Sequence, residues 1–220
     1  MDGAGWIAAL KTHWEGGGIW MYPIAAASAF AMGVTLERIV ALFFRARFDK
    51  EQFINELRGY ILSGNLHGAV KFVSSQPSSP LTEVVKAGLV RAHSSDAVVQ
   101  SALDEASLRE MPRLERRTGY LAMIGNVATL LGLLGTIAGL IKCFAAVSQP
   151  GVDPALKSAI LADGIAEAMN CTAFGLLVAI PALVSFSALS GKTQHLIDDI
   201  NEVAVSVMNL IVTNRDKLKV

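Results

Sequence analysis

The sequence predicts an all-α membrane protein with three transmembrane helices and long cytoplasmic helical extensions. Three observations carry that prediction. Hydrophobic residues make up 52% of the 220 positions and mean hydropathy is +0.45, which is more apolar than an ordinary soluble domain. Charged residues, only 17% of the chain, are gathered into blocks between long uncharged runs. Within two of those runs small residues recur at steps of three and four, which places them on one face of a helix. Formal net charge is zero, so composition offers no argument for a nucleic-acid partner.

Residues 1–17 read as an extracytoplasmic, interfacial segment. Trp6 and the run Ile7 to Leu10 fit a short amphipathic helix lying on a surface. The first 15 residues lack a basic leader, and the apolar run after them is too long for a signal peptide, so it reads as a retained span. Trp14, Trp20 and Tyr22 suit either the membrane–water boundary or packing on neighbouring helices. The first span is 18–44. Ile19 to Leu36 carries no charge, and Pro23 is tolerated near its start.

Residues 45–119 form the cytoplasmic helical region. They hold 11 of the chain's 19 Lys and Arg, which the positive-inside rule assigns to the cytoplasm. Phe53, Ile54, Leu57 and Ile61 recur at helical spacing. Gly64-Asn65 breaks that pattern and Leu66 to Val73 resumes it. Residues 74–80, Ser-Ser-Gln-Pro-Ser-Ser-Pro, read as a loop. A helix follows over Leu81–Ala92. Another starts near Asp96 after Ser95 and runs toward the second span, with Pro112 as a kink or a new start.

The second span is 120–147. Gly125, Ala128, Gly132, Gly135 and Gly139 share a face, with Thr129 and Thr136 beside it. Residues 148–162 read as a periplasmic loop containing Pro150, Gly151 and Pro154. The third span is 163–190, and its helix continues into a cytoplasmic tail, 191–220. In the span, Gly164, Ala168, Thr172, Gly175, Ala179 and Ala182 share a face, and Asp163, Glu167 and Asn170 form a polar stripe at its entry. In the tail, Leu196, Ile200, Val203, Val207 and Leu210 keep a helical stripe. The N-terminal segment and the 148–162 loop hold one lysine each, so the N-terminus lies outside and the C-terminus inside.

Chemistry in the spans leaves alternatives open. Thr136 and Thr172 either bond back to their own helices or line a polar path between spans two and three. Glu167 caps the helix, accepts a bond from a partner, or carries a proton. The glycine and alanine faces serve as packing surfaces or as pore walls. Pro181 removes one backbone bond, to the carbonyl of Leu177, and permits a kink. All four histidines lie outside the spans, against an intramembrane Ser–His enzyme or a His-ligated metal. Cys143 and Cys171 both lie in apolar runs, against a disulfide framework. GLLGTIAG lacks the lysine and hydroxyl pair of a phosphate loop. No enzyme activity, cofactor or metal is expected.

Two motifs then stand out together: ATLLGLLGTIAGLIKCF over 128–144 and ILADGIAEAMNCTAFGLLVAIPALVSF over 160–186. The pair resembles the MotA/TolQ/ExbB proton-channel family, closest to its ExbB/TolQ branch. The resemblance implies a homo-pentamer in the bacterial inner membrane, built around a central pore. That pore holds two copies of a small single-span ExbD/TolR-like protein with a transmembrane aspartate. It implies a motor that uses the proton motive force for TonB-dependent import, Tol-Pal-type envelope maintenance or gliding motility. By motif, Thr136 resembles the pore threonine, Glu167 the acid of the IAEA motif, Thr172 the threonine five residues later and Pro181 the proline of AIPA. Asn170 and Cys171 stand where the family usually has aliphatic or small residues. Gly132, Gly135, Gly139 and Gly175 are expected to pack helices. The other reading is a non-conducting membrane scaffold for a partner helix; a transporter built from internal repeats finds no repeat here.

Overall fold

A computed structural model describes residues 14, 16–45, 50–151 and 153–218. The amphipathic helix expected over residues 6–10 lies outside the described residues. The described residues are helical throughout, with no strand among them, and three of the helices are long and apolar enough to cross a membrane. The elements are α1 (Met21–Ile39), extended by a π-helical turn Val40–Arg45, then α2 (Lys50–Leu62), α3 (Leu66–Ser75), α4 (Pro80–Val90), α5 (Asp96–Glu115), α6 (Thr118–Val147), α7 (Pro154–Thr213) and α8 (Arg215–Leu218).

Three boundaries differ from the sequence expectation, each for a local reason. The loop expected over 148–162 is shorter, because α7 already begins at Pro154. Proline is preorganised for a first helical turn, and the Asp153 carboxylate accepts from the amide of Ala155 at 2.7 Å. The loop expected over 74–80 shrinks to four residues. Ser74 and Ser75 finish α3, and Pro80 opens α4 behind a Ser79–Thr82 capping box. Pro112 neither starts nor ends a helix. It sits inside α5, and the break falls later, where Arg117 takes a left-handed backbone with φ 70°. That conformation is uncommon for a non-glycine residue.

The chain divides into two compact units. One comprises residues 1–36 and 117–187; the other comprises 37–116 and 188–220. In the second unit, α2 to α5 pack consecutively. Phe53, Leu57 and Ile61 of α2 are buried, with Ala69 and Val73 of α3 and Val84, Val85 and Leu89 of α4. Phe72 stacks between Phe53 and Tyr60, with ring centroids 5.6 and 5.5 Å away. From α7, Ile200, Val203 and Val207 are buried as their spacing predicts, and Ile197, Ala204 and Ile211 widen the stripe. Leu196 and Leu210 sit at its half-buried edges. An Arg215–Asp96 ion pair ties α8 to the start of α5.

Two polar ties fix this unit. Arg38, 7% exposed, donates to the carbonyl of Leu114 at 3.3 Å and to both oxygens of Glu37 at 2.8 and 3.1 Å. Leu114 lies in the last turn of α5, where carbonyls lack partners within the helix. Lys50 of α2 donates to Asp199 at 2.7 Å and to Glu202 at 2.8 Å on α7. Those two hydrogen bonds hold its ammonium well above the ordinary lysine range. A raised lysine value stabilises the fold at every pH below the unfolded value and is lost only as pH climbs through the folded one. The tie is therefore constant across neutral pH and fails only in strong alkali. Lys50→Met should cost under about 1 kcal/mol because the pair is partly exposed. Thermal unfolding at low and high salt checks this: salt should narrow the gap between the variant and the parent chain.

In the first unit, α6 and the opening half of α7 form an antiparallel pair beside α1. The inward faces are small: Ala128, Ala168, Ala179 and Ala182 are all below 8% exposed. The outward faces are large and apolar, with Leu130, Leu133, Ile137 and Ile141 exposed on α6 and Leu177, Ile180 and Val184 on α7. Such an exterior needs lipid or further protein to cover it.

Candidate functional site

The small residues let α6 and α7 approach until backbone meets backbone. A Cβ added at Gly175 would lie 2.8 Å from the carbonyl oxygen of Ala128 and 3.0 Å from Cα of Gly132. One added at Gly132 would lie 3.0 Å from the carbonyl oxygen of Cys171 and 3.2 Å from Cα of Gly175. Gly135 faces the Cβ of Cys171 at 2.8 Å, and Gly139 faces the Cβ of Ala168 at a relaxed 3.4 Å. Further along the same seam, Gly164 lies against Cys143. The small faces of both helices thus meet each other, with backbone against backbone at Gly132 and Gly175.

This crossing brings Thr136 and Thr172 together. Their hydroxyls are hydrogen-bonded to each other across the two helices. Thr136 Oγ1 also lies 3.1 Å from the carbonyl of Gly132 on its own helix and 3.0 Å from the carbonyl of Ala168 on α7. Thr172 Oγ1 lies 3.5 Å from the carbonyl of Gly132. Thr129, one face over, bonds only back to Gly125, at 3.0 Å. So Thr136 does more than satisfy its own helix. Both threonines are half-buried.

Proton counting shows what this cluster can do. Each hydroxyl carries one proton and two lone pairs, and the two carbonyls only accept. If Thr172 donates to Thr136, then Thr136 donates to Ala168 or Gly132. If the direction reverses, Thr172 donates to Gly132 over the longer 3.5 Å contact. Both orders are satisfied and they interconvert by rotating two O–H bonds. The hydrogen bond between the two hydroxyls can therefore run in either direction, and it leaves lone pairs for a water or an acid.

Glu167 is not joined to the threonines by a hydrogen bond among the described residues. Its carboxylate, 29% exposed, lies 3.8 Å from Nζ of Lys142. Its other oxygen lies against Gly18, where an added Cβ would approach to 2.3 Å. Gly18 has φ +64°, a backbone that favours glycine. One turn along, the Cys171 thiol donates to the carbonyl of Gly17 at 3.0 Å. Trp14 makes edge contacts with Tyr22 and Phe174. The turn before α1 is thus held to α7 by the Cys171–Gly17 hydrogen bond and the Trp14–Phe174 ring contact. Pro181 is exposed in mid-helix. It lies on the wall of a groove of about 350 Å³ between α1 and α7, with Ser28, Thr35 and Ser185.

Sequence reasoning missed Lys142, Gly18 and Cys171. The Gly16-Gly17-Gly18 triplet was a turn signal, and Lys142 is the lone charge of α6. Neither feature shows in sequence which residue it meets. Among the described residues no group of three His, Cys, Asp or Glu side chains is placed to hold a metal.

Comparison with known proteins gives three findings. The MotA/TolQ/ExbB proton channel family matches over residues 76–202. A biopolymer transport protein ExbB homolog from Methanothermobacter thermautotrophicus is 29% identical over 184 residues, covering 84% of this chain and 64% of that one. A biopolymer transport protein ExbB-like 3 from Synechocystis is 30% identical over 169 residues, covering 76% of this chain and 79% of that one. The chain therefore spans a little under two thirds of the first relative's length. Among solved structures, C. jejuni MotAB superposes with a TM-score of 0.65 over 88% of this chain and 78% of that one, at 15% identity. That likeness is one of fold.

Proposed function

Because this chain belongs to the MotA/TolQ/ExbB proton channel family, we propose that it is the proton-conducting subunit of a complex that turns the proton motive force into envelope work. It is an energy-transducing membrane protein of a channel family, not of an enzyme family. In this reading five copies surround a pore in the inner membrane, with the N-terminus periplasmic and the 45–119 region and tail cytoplasmic. The pore holds two copies of a single-span ExbD/TolR-like protein whose aspartate exchanges protons. Import, envelope maintenance and gliding are all outputs open to such a machine.

One observation carries the proposal: the hydrogen-bonded Thr136–Thr172 hydroxyl pair, half-buried beside a backbone crossing. A transmembrane aspartate from a partner could exchange with it through its free lone pairs. Glu167 lies a little over one helical turn from Thr172 on the same helix and is a second station for protons.

A scaffold remains the second reading, favoured by the burial of the glycine faces against each other. The complex purified with its partner and sealed into liposomes separates the two. With a potassium-driven potential applied, the motor reading expects proton entry well above that of empty liposomes. The scaffold reading expects none. Native mass measurement of the same sample should give five copies of this chain.

A further inference from the structure

We propose that Lys142 is a positioning residue that sets the direction of the Glu167 carboxylate; this rests on the reading that Glu167 serves proton movement. Lys142 is the lone charge on the 30-residue helix α6. A lysine in so apolar a run either reaches water with its flexible stem or finds a partner. Its side chain is 78% exposed, yet Nζ turns to within 3.8 Å of Oε2 of Glu167.

The two oxygens of Glu167 consequently meet different surroundings. Oε2 faces the ammonium, and Oε1 occupies the space that a Cβ on Gly18 would take. At 3.8 Å the ammonium contact is longer than a hydrogen bond. It is an ionic contact that a water or an incoming acid can enter. Lys142 therefore aims the carboxylate without locking it, and the missing side chain of Gly18 leaves room for the other oxygen. Asp163, exposed one turn earlier on α7, is the competing acid.

Zero-length cross-linking tests the geometry in the intact complex in native membranes. A water-soluble carbodiimide activates a carboxyl as an O-acylisourea. A neighbouring lysine amine displaces the urea and forms an amide, so the water lost in the condensation leaves in the urea. Tandem mass spectrometry should find the peptide containing Lys142 joined to Glu167. The link should vanish in Lys142→Arg and in Glu167→Gln.

The functional arm uses the liposome flux. Lys142→Met should lower it about two- to fivefold, the range of a partly exposed ion pair, and Lys142→Arg should restore it. In a Glu167→Gln background, Lys142→Met should cost nothing further. A link to Asp163, no link at all, or an equal loss from Lys142→Met in both backgrounds overturns the proposal. Failure of the motor reading looks different: the unmodified complex carries no flux, while the cross-link still decides the pairing.

Discussion

Gly175→Ala is expected to force α6 and α7 apart at their backbone crossing. The added carbon would sit 2.8 Å from the Ala128 carbonyl and 3.0 Å from Cα of Gly132. Both are backbone atoms and cannot rotate away. Overpacking a tight contact costs about 1–3 kcal/mol even when side chains can yield, and here they cannot. Gly132→Ala should behave alike. Gly139→Ala should not, because its new carbon meets Ala168 at an ordinary 3.4 Å. Exchanging glycine for alanine inside a helix also gains about 0.5–1 kcal/mol. Thermal unfolding in detergent reads both effects. Gly175→Ala and Gly132→Ala should melt clearly below the parent, and Gly139→Ala at or above it. Equal melting of all three would mean that the crossing is looser than described.

The second large effect is functional. Thr136→Val with Thr172→Val keeps shape and removes both protons of the hydroxyl pair. The lost hydroxyl bonds are worth about 0.5–1.5 kcal/mol each, so the complex should still assemble. The proton flux in liposomes should fall at least about a hundredfold, the lower edge of what a positioned proton-transfer group contributes. Thr172→Ser keeps a hydroxyl and should conduct. Each single valine variant should already lose most of the flux, since a path through the pair needs both members. Full flux with intact assembly in the double variant would remove the threonines from the proton path.

Much of this was legible in the sequence because it follows from periodicity. Gly132, Gly135, Gly139 and Gly175 fell on faces that a helix of 3.6 residues per turn imposes. The tail stripe through Ile200, Val203 and Val207 was readable for the same reason. What could not be read was pairing. The register of α6 on α7 depends on which glycine meets which, and only the fold brings Thr136 to the carbonyl of Ala168. Glu167 shows the same gap. Its position on α7 was clear, but its neighbours come from the turn at Gly18 and from Lys142, 149 and 25 residues away in sequence. Pro112 does not start a new helix, which was one of its two readings. It is exposed, so the carbonyl it leaves unpaired can turn to water, and the chain breaks instead at the left-handed Arg117.

Proton conduction at the Thr136–Thr172 pair requires water to reach it inside the assembled complex, and thiol accessibility measures that directly. In a chain carrying Cys143→Ala and Cys171→Ala, Thr136→Cys and Thr172→Cys would each be exposed in native membranes to a charged, membrane-impermeant methanethiosulfonate and to a lipophilic maleimide. The charged reagent should modify both positions, and bound partner should slow the reaction. Modification by the lipophilic reagent alone would place the hydroxyl pair toward lipid and contradict proton conduction there.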